Sequence, residues 1–177
     1  MKKRTAFIGA ILSLIPFGQP LIIKSGLVLS TTGLMLAVPE KLNAETSKFY
    51  FDRAIEKANN GDHYGAISDY TKAIEINPNN VDTYINRGVI KRKLEDYYGA
   101  IADYTKALEI NPNYAEAYYN RGNAKDELKD YYGAISDYTK AIEINPNDHE
   151  AYFNRGIAKR NLEDFYGAIS DLSLIHI

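Results

Sequence analysis

The sequence predicts an all-α protein, an α-solenoid of stacked helix–turn–helix units. The first observation behind this is a repeat of 34 residues: Asn-Pro-Asn begins at Asn77, Asn111 and Asn145, and Arg-Gly at Arg87, Arg121 and Arg155. Gly-Ala-Ile begins at Gly65, Gly99, Gly133 and Gly167, and Tyr64–Asn79 is identical to Tyr132–Asn147. A fixed period of this size marks small units that bury their apolar edges against one another. The second observation is an apolar stripe at helical spacing in each unit, and the third is proline confined to one place per unit, at Pro78, Pro112 and Pro146.

The N-terminal segment, residues 1–44, stands apart. Met1-Lys2-Lys3-Arg4 is basic, Thr5–Ile15 is apolar, Pro16 and Pro20 interrupt, and Leu21–Val38 is mostly apolar again apart from Lys24. Pro39 ends the run and Leu42-Asn43-Ala44 offers a small residue for cleavage. A basic start, an apolar middle and a small-residue end make the pattern of an export signal. Thr5–Ile23 also approaches the ~20 residues that a membrane anchor needs, and a buried structural helix is a third reading. With either of the first two, basic residues hold the N-terminus in the cytoplasm and the array lies across the membrane, in the periplasm or outside the cell.

Within the unit Val81–Tyr114, Thr83–Leu94 lacks proline and is rich in helix formers. Asp96 is placed to cap a second helix. Tyr98, Ile101, Tyr104 and Leu108 follow at spacings of three and four, forming one stripe. Pro112 pushes Asn111 out of helical geometry and stops that helix. Gly88 and Ala100 are expected where the two helices cross, because small side chains let backbones approach. Tyr84, Tyr98 and Tyr104 are expected to fill the gaps. In the runs of Asp-Tyr-Thr-Lys, Asp69, Asp103 and Asp137 are expected to form solvated pairs with Lys72, Lys106 and Lys140.

Charge and chemistry narrow the function. The chain carries 21 basic and 23 acidic residues; residues 1–44 hold five basic and one acidic, leaving 16 and 22, a formal −6 on the array. An acidic array lacks the basic stripe of a nucleic-acid binder. There is no cysteine. His63, His149 and His176 do not recur in register and have no metal-ligand partner at helical spacing. Gly122-Asn-Ala-Lys125 lacks the rest of a phosphate loop. Ser68, Ser136 and Ser170 lack a nucleophile elbow. No catalytic residue, cofactor or metal is expected.

With position 1 read as Ser47, Val81, Ala115 and His149, the units resemble tetratricopeptide repeats over about 70% of the chain. Position 4 is Tyr50, Tyr84, Tyr118 and Tyr152; position 8 is Ala54, Gly88, Gly122 and Gly156; position 20 is Ala66, Ala100, Ala134 and Ala168. Tyr70, Tyr104 and Tyr138, then Ala73, Ala107 and Ala141, then the three prolines complete the family's pattern at positions 24, 27 and 32. Position 7 departs to arginine and position 11 to lysine. Repeats are therefore set at 47–80, 81–114 and 115–148, with a truncated fourth at 149–171. The tail, residues 172–177, shares nothing with the repeat and resembles translated sequencing adapter, the alternative being a real but irregular terminus; the protein is expected to continue into further repeats.

The resemblance implies a right-handed superhelix whose first helices line a concave groove for a peptide or partner helix. On that implication the groove takes Phe51, Ile85, Tyr119 and Phe153 at position 5, and Asp52, Asn86, Asn120 and Asn154 at position 6. Asn123 at position 9 joins them, with Arg92, Asp126 and Arg160 at position 12. Asparagines can bond a peptide backbone, since each amide both donates and accepts. The family's chaperone-tail binders grip a carboxylate with lysine at position 5 and basic residues at position 2. Here position 5 is apolar and position 2 holds Lys48, Asp82, Glu116 and Glu150, mostly the wrong sign, so that ligand is not expected. The implied function is a protein-interaction scaffold. Weak self-association through the ends of the array is a further expectation.

Overall fold

The computed structural model describes residues 40–174 and two short strands, β1 (Leu27–Leu29) and β2 (Met35–Ala37). These strands pair antiparallel, Leu27 opposite Ala37, which the sequence reading did not anticipate. The rest of the proposed signal or anchor lies outside the described residues. Eight helices follow among the described residues: α1 (Glu40–Asn59), α2 (His63–Ile76), α3 (Val81–Lys93) and α4 (Tyr97–Ile110). Then come α5 (Ala115–Glu127), α6 (Tyr131–Ile144), α7 (His149–Asn161) and α8 (Phe165–Ser173). Each helix packs on the next in the chain, and α5 also touches α3 and α7. The array is an all-α solenoid, as expected. Its first helix starts seven residues before Ser47, so Leu42-Asn43-Ala44 sits within α1.

Local chemistry sets these boundaries. Asp62, Asp96, Asp130 and Asp164 cap α2, α4, α6 and α8, each carboxylate accepting the N–H of the glycine three residues on at 2.9–3.0 Å. Asn80 and Asp148 cap α3 and α7 in the same way. At the other end α2, α4 and α6 stop at Ile76, Ile110 and Ile144, just before Asn-Pro. The turn inside each unit needs one left-handed residue. It is Gly61 in the first unit and Glu95, Lys129 and Glu163 in the others, with φ of 61–64°. A side chain there costs about 1–2 kcal/mol that glycine avoids. Lys129→Gly is therefore expected to stabilise the array, by about 0.5–1 kcal/mol after the added freedom of the unfolded chain. Urea denaturation measures it.

The core is a column of alanines and tyrosines. Ala66, Ala100, Ala134, Ala73, Ala107 and Ala141 are inaccessible, and Tyr70, Tyr104 and Tyr138 lie between the helix layers. Gly88 and Gly122 make room for those rings: a Cβ on either would come within 2.7 Å of Tyr104 or Tyr138. Tyr98 departs from its expected place and is 76% exposed, as are its counterparts Tyr64, Tyr132 and Tyr166 to a similar or greater degree. It falls in the first turn of α4, on the capped end, where no neighbouring helix covers it.

The aspartates of the Asp-Tyr-Thr-Lys runs are also placed differently. Asp103 is only 3% exposed. Its carboxylate accepts Nε and Nη2 of Arg87 at 2.9 and 2.6 Å, and Lys91 Nζ lies 2.8 Å away. The same pairing recurs as Arg53/Lys57 on Asp69, Arg121/Lys125 on Asp137 and Arg155/Lys159 on Asp171. Lys106 and Lys140 pair instead with Glu109 and Glu143 at 2.6 Å. Only Lys72 approaches its expected partner, at 3.7 Å from Asp69. The arginines and lysines at positions 7 and 11 thus cross from the first helix to the second. Each arginine also lies 5.1–5.8 Å from the tyrosine ring at position 4 of its own unit. Burial pushes the Asp69 and Asp171 carboxyls up, but the hydrogen bonds and charges of their Arg and Lys partners outweigh it and hold both below the ordinary range.

Candidate functional site: the concave face of the third and fourth repeats

Facing helices α5 and α7 leave a cavity of about 340 Å³, with α6 behind it and Arg92 of α3 at one side. A second, of about 470 Å³, opens beside it between Tyr119 of α5 and the start of α7. Both are walled by Tyr119 and Asn154. They follow from the packing rule of the array: glycine and alanine bring helix pairs together, while longer side chains hold the first helices of successive units slightly apart.

A polar chain runs across these walls. Tyr138 donates its hydroxyl to Asn123 Oδ1 at 2.8 Å. Asn154 Nδ2 donates to the same oxygen at 3.0 Å and to the Tyr119 oxygen at 3.2 Å. Tyr119 in turn donates to Glu150 at 3.1 Å. The rings of Tyr119 and Tyr138 lie 6.1 Å apart, tilted by 49°. Burial pushes both hydroxyls up in pKa, so both remain protonated donors at neutral pH. Such a chain holds asparagine amides in one orientation, which preorganises them for a ligand.

Five of the twelve expected groove residues meet at the first cavity: Arg92, Tyr119, Asn123, Asp126 and Asn154. Phe153, 49% exposed, joins Tyr119 and Asn154 at the second. The others lie elsewhere. Phe51 is half-buried edge-on to Tyr70 at 5.9 Å, and Asp52 is exposed and paired with Lys48 at 2.6 Å. Asn86 is half-buried and Arg160 is exposed. Ile85 and Asn120 are corrections: they are 3% and 8% exposed, so neither offers an open contact. Ile85 belongs to the core cluster of Tyr104 and Ala117, because α5 leans over it.

Sequence reasoning missed Tyr138 and His149 on the cavity walls. Tyr138 reads as core from its position, and its ring is indeed buried. Only its hydroxyl reaches the groove, and no spacing signals that. His149 is the first residue of α7, outside the counted groove positions.

Sequence models described as "Tetratricopeptide repeat" match residues 47–80, 81–114, 115–148 and 137–169. Among solved structures, the crystal structure of MamA protein is 29% identical with a TM-score of 0.71, over 74% of this chain and 72% of that one. The first TPR of Spaghetti (RPAP3), bound to the HSP90 peptide SRMEEVD, is 26% identical with a TM-score of 0.66, over 68% and 95%. The Arabidopsis OM64 TPR domain is 28% identical with a TM-score of 0.64, over 67% and 98%. No curated protein sequence matches the chain.

Proposed function

This chain belongs to the tetratricopeptide repeat family and is a protein-interaction scaffold, and from that premise we propose that it binds an extended peptide or partner helix along α3, α5 and α7 without catalysis. The observation that carries this is the pair of adjoining cavities on one face, with a half-exposed aromatic, Phe153, beside oriented amides. Aromatic side chains in such settings act as binding anchors. The Spaghetti repeat domain carries an acidic HSP90 peptide. Here Glu150 lines the second cavity and position 2 is mostly acidic, which supports a ligand other than an acidic tail.

A photoreactive amino acid in place of Phe153, compared with one in place of Tyr132, tests the reading. Adducts mapped by mass spectrometry are expected mainly from the Phe153 position. Equal yields from the outward Tyr132 position would sink the proposal. Phe153→Ala is expected to weaken capture of a mapped partner about tenfold, with stability changed by less than about 0.5 kcal/mol because the ring is half-exposed.

We also propose that the N-terminal segment exports the array or tethers it at the membrane surface. The basic start and apolar stretch support this. Among the described residues, no helix is long and apolar enough to cross a membrane. Fractionation of cells, with the N-terminus of the mature chain determined by mass spectrometry, tests it.

A further inference from the structure

In the first cavity, two buried polar atoms are left without a hydrogen-bond partner, one on Asp126 and one on Arg92. Asp126 Oδ1 is sealed from solvent and has no hydrogen-bond partner. A buried carboxylate oxygen without a donor is costly, and in proteins it is normally paired. The contrast with Asp69, Asp103, Asp137 and Asp171 is sharp, since each of those has both an arginine and a lysine within 2.9 Å. Burial pushes the Asp126 carboxyl up, the neighbouring charge of Glu127 pushes the same way, and no cation acts against them.

Arg92 shares the cavity, but its Nε is likewise buried without a partner and it makes no ion pair with Asp126. Its charge is felt at Tyr104 and Tyr138, whose hydroxyls burial raises and Arg92 partly draws back. Arg160, one unit further on at the same position, is exposed and makes no ion pair among the described residues. Around the opening the remaining charges are negative: Glu127 lines this cavity and Glu150 the adjoining one. The walls also supply what a guanidinium uses besides charge, namely the ring of Tyr119 and the amide oxygen of Asn154.

We propose that this cavity is the specificity pocket of the groove and takes a basic side chain of the partner, best an arginine, with an apolar neighbour seated beside Phe153. The proposal rests on the peptide-binding reading above and adds to it the chemistry of the ligand. The cation pairs with the Asp126 carboxylate from its open side, through the oxygen other than the sealed Oδ1. The partner segment is therefore basic and apolar in alternation, the complement of an array that carries a formal −6 beyond residue 44.

The test uses the full chain and three capped peptides, Ser-Ala-Leu-X-Leu-Ala-Ser, with X as Arg, Gln or Glu. Affinity is read by fluorescence anisotropy and location by competition with the Phe153→Ala variant. The Arg peptide is expected to bind about tenfold more tightly than the Gln peptide, and the Glu peptide most weakly. Asp126→Asn is expected to abolish the Arg-over-Gln preference and Asp126→Glu to retain it, with circular dichroism checking that both fold. If Asp126→Asn unfolds, the three peptides on the unaltered chain decide alone. Equal binding of Arg and Gln peptides, sensitive to Phe153→Ala, would overturn the basic pocket and leave the groove reading standing. Failure of every peptide to bind at the concave face would overturn both.

Discussion

Asp137→Asn is expected to cost the array about 3–5 kcal/mol, the usual result of removing one partner from a buried ion pair. Arg121 and Lys125 would be left with their charges turned into a pocket that holds the carboxylate at 2.7 Å from each. Asparagine has nearly the same shape, so the loss is electrostatic and not a packing defect. Equilibrium urea denaturation measures it, and a loss under about 1 kcal/mol would show the pair to be solvent-screened. The same network sets an acid limit. Asp69 and Asp171 have carboxyl pKa values lowered by folding. A lowered folded value contributes stability that is present above the unfolded value, near 4, and is lost as pH falls through the folded value. Melting temperature is therefore expected to be steady from pH 7 to about 5 and to drop below about 4.

Tyr104→Ala is expected to be as damaging, at about 3–5 kcal/mol. The ring is fully buried, and Gly88, which faces it, has no side chain to move into the space. The hydroxyl contributes nothing comparable, since its oxygen is buried without a hydrogen-bond partner. Tyr104→Phe is expected to be neutral or stabilising, whereas Tyr138→Phe breaks the bond to Asn123 and costs about 0.5–1.5 kcal/mol. Thermal unfolding of the three variants separates ring from hydroxyl. A marked loss in Tyr104→Phe would mean that the hydroxyl has found a donor or acceptor.

The helix pairs were legible because their signals are local. Aspartate caps, proline stops and alanines at the crossings each act within a turn or two of chain. The ion network was not, because Asp103 finds Arg87 sixteen residues upstream, on the other helix of its unit. A lysine three residues downstream offered the simpler pairing. The signal was nonetheless present: an Arg and a Lys four apart, followed by Asp, recur in all four units. Ile85 shows a second limit. Groove positions were assigned as if every unit curved alike, yet Ile85 is covered by α5 while Phe153 stands half-open. The seventh to twelfth positions of α5 were the better guide, and Asn123 and Asp126 both reach the cavity.

One arginine contact crosses between units. Arg87 Nη1 donates to Thr71, Arg121 to Thr105 and Arg155 to Thr139, at 2.9–3.1 Å, and each threonine belongs to the preceding repeat. The residue that neutralises the aspartate of its own repeat is therefore also the rivet to the one before. Melting cannot stay confined to a single repeat, because freeing one arginine loosens two. Fraying is then expected to advance inward from either end like a zip, and a lesion at mid-length divides the rod into two blocks that melt separately.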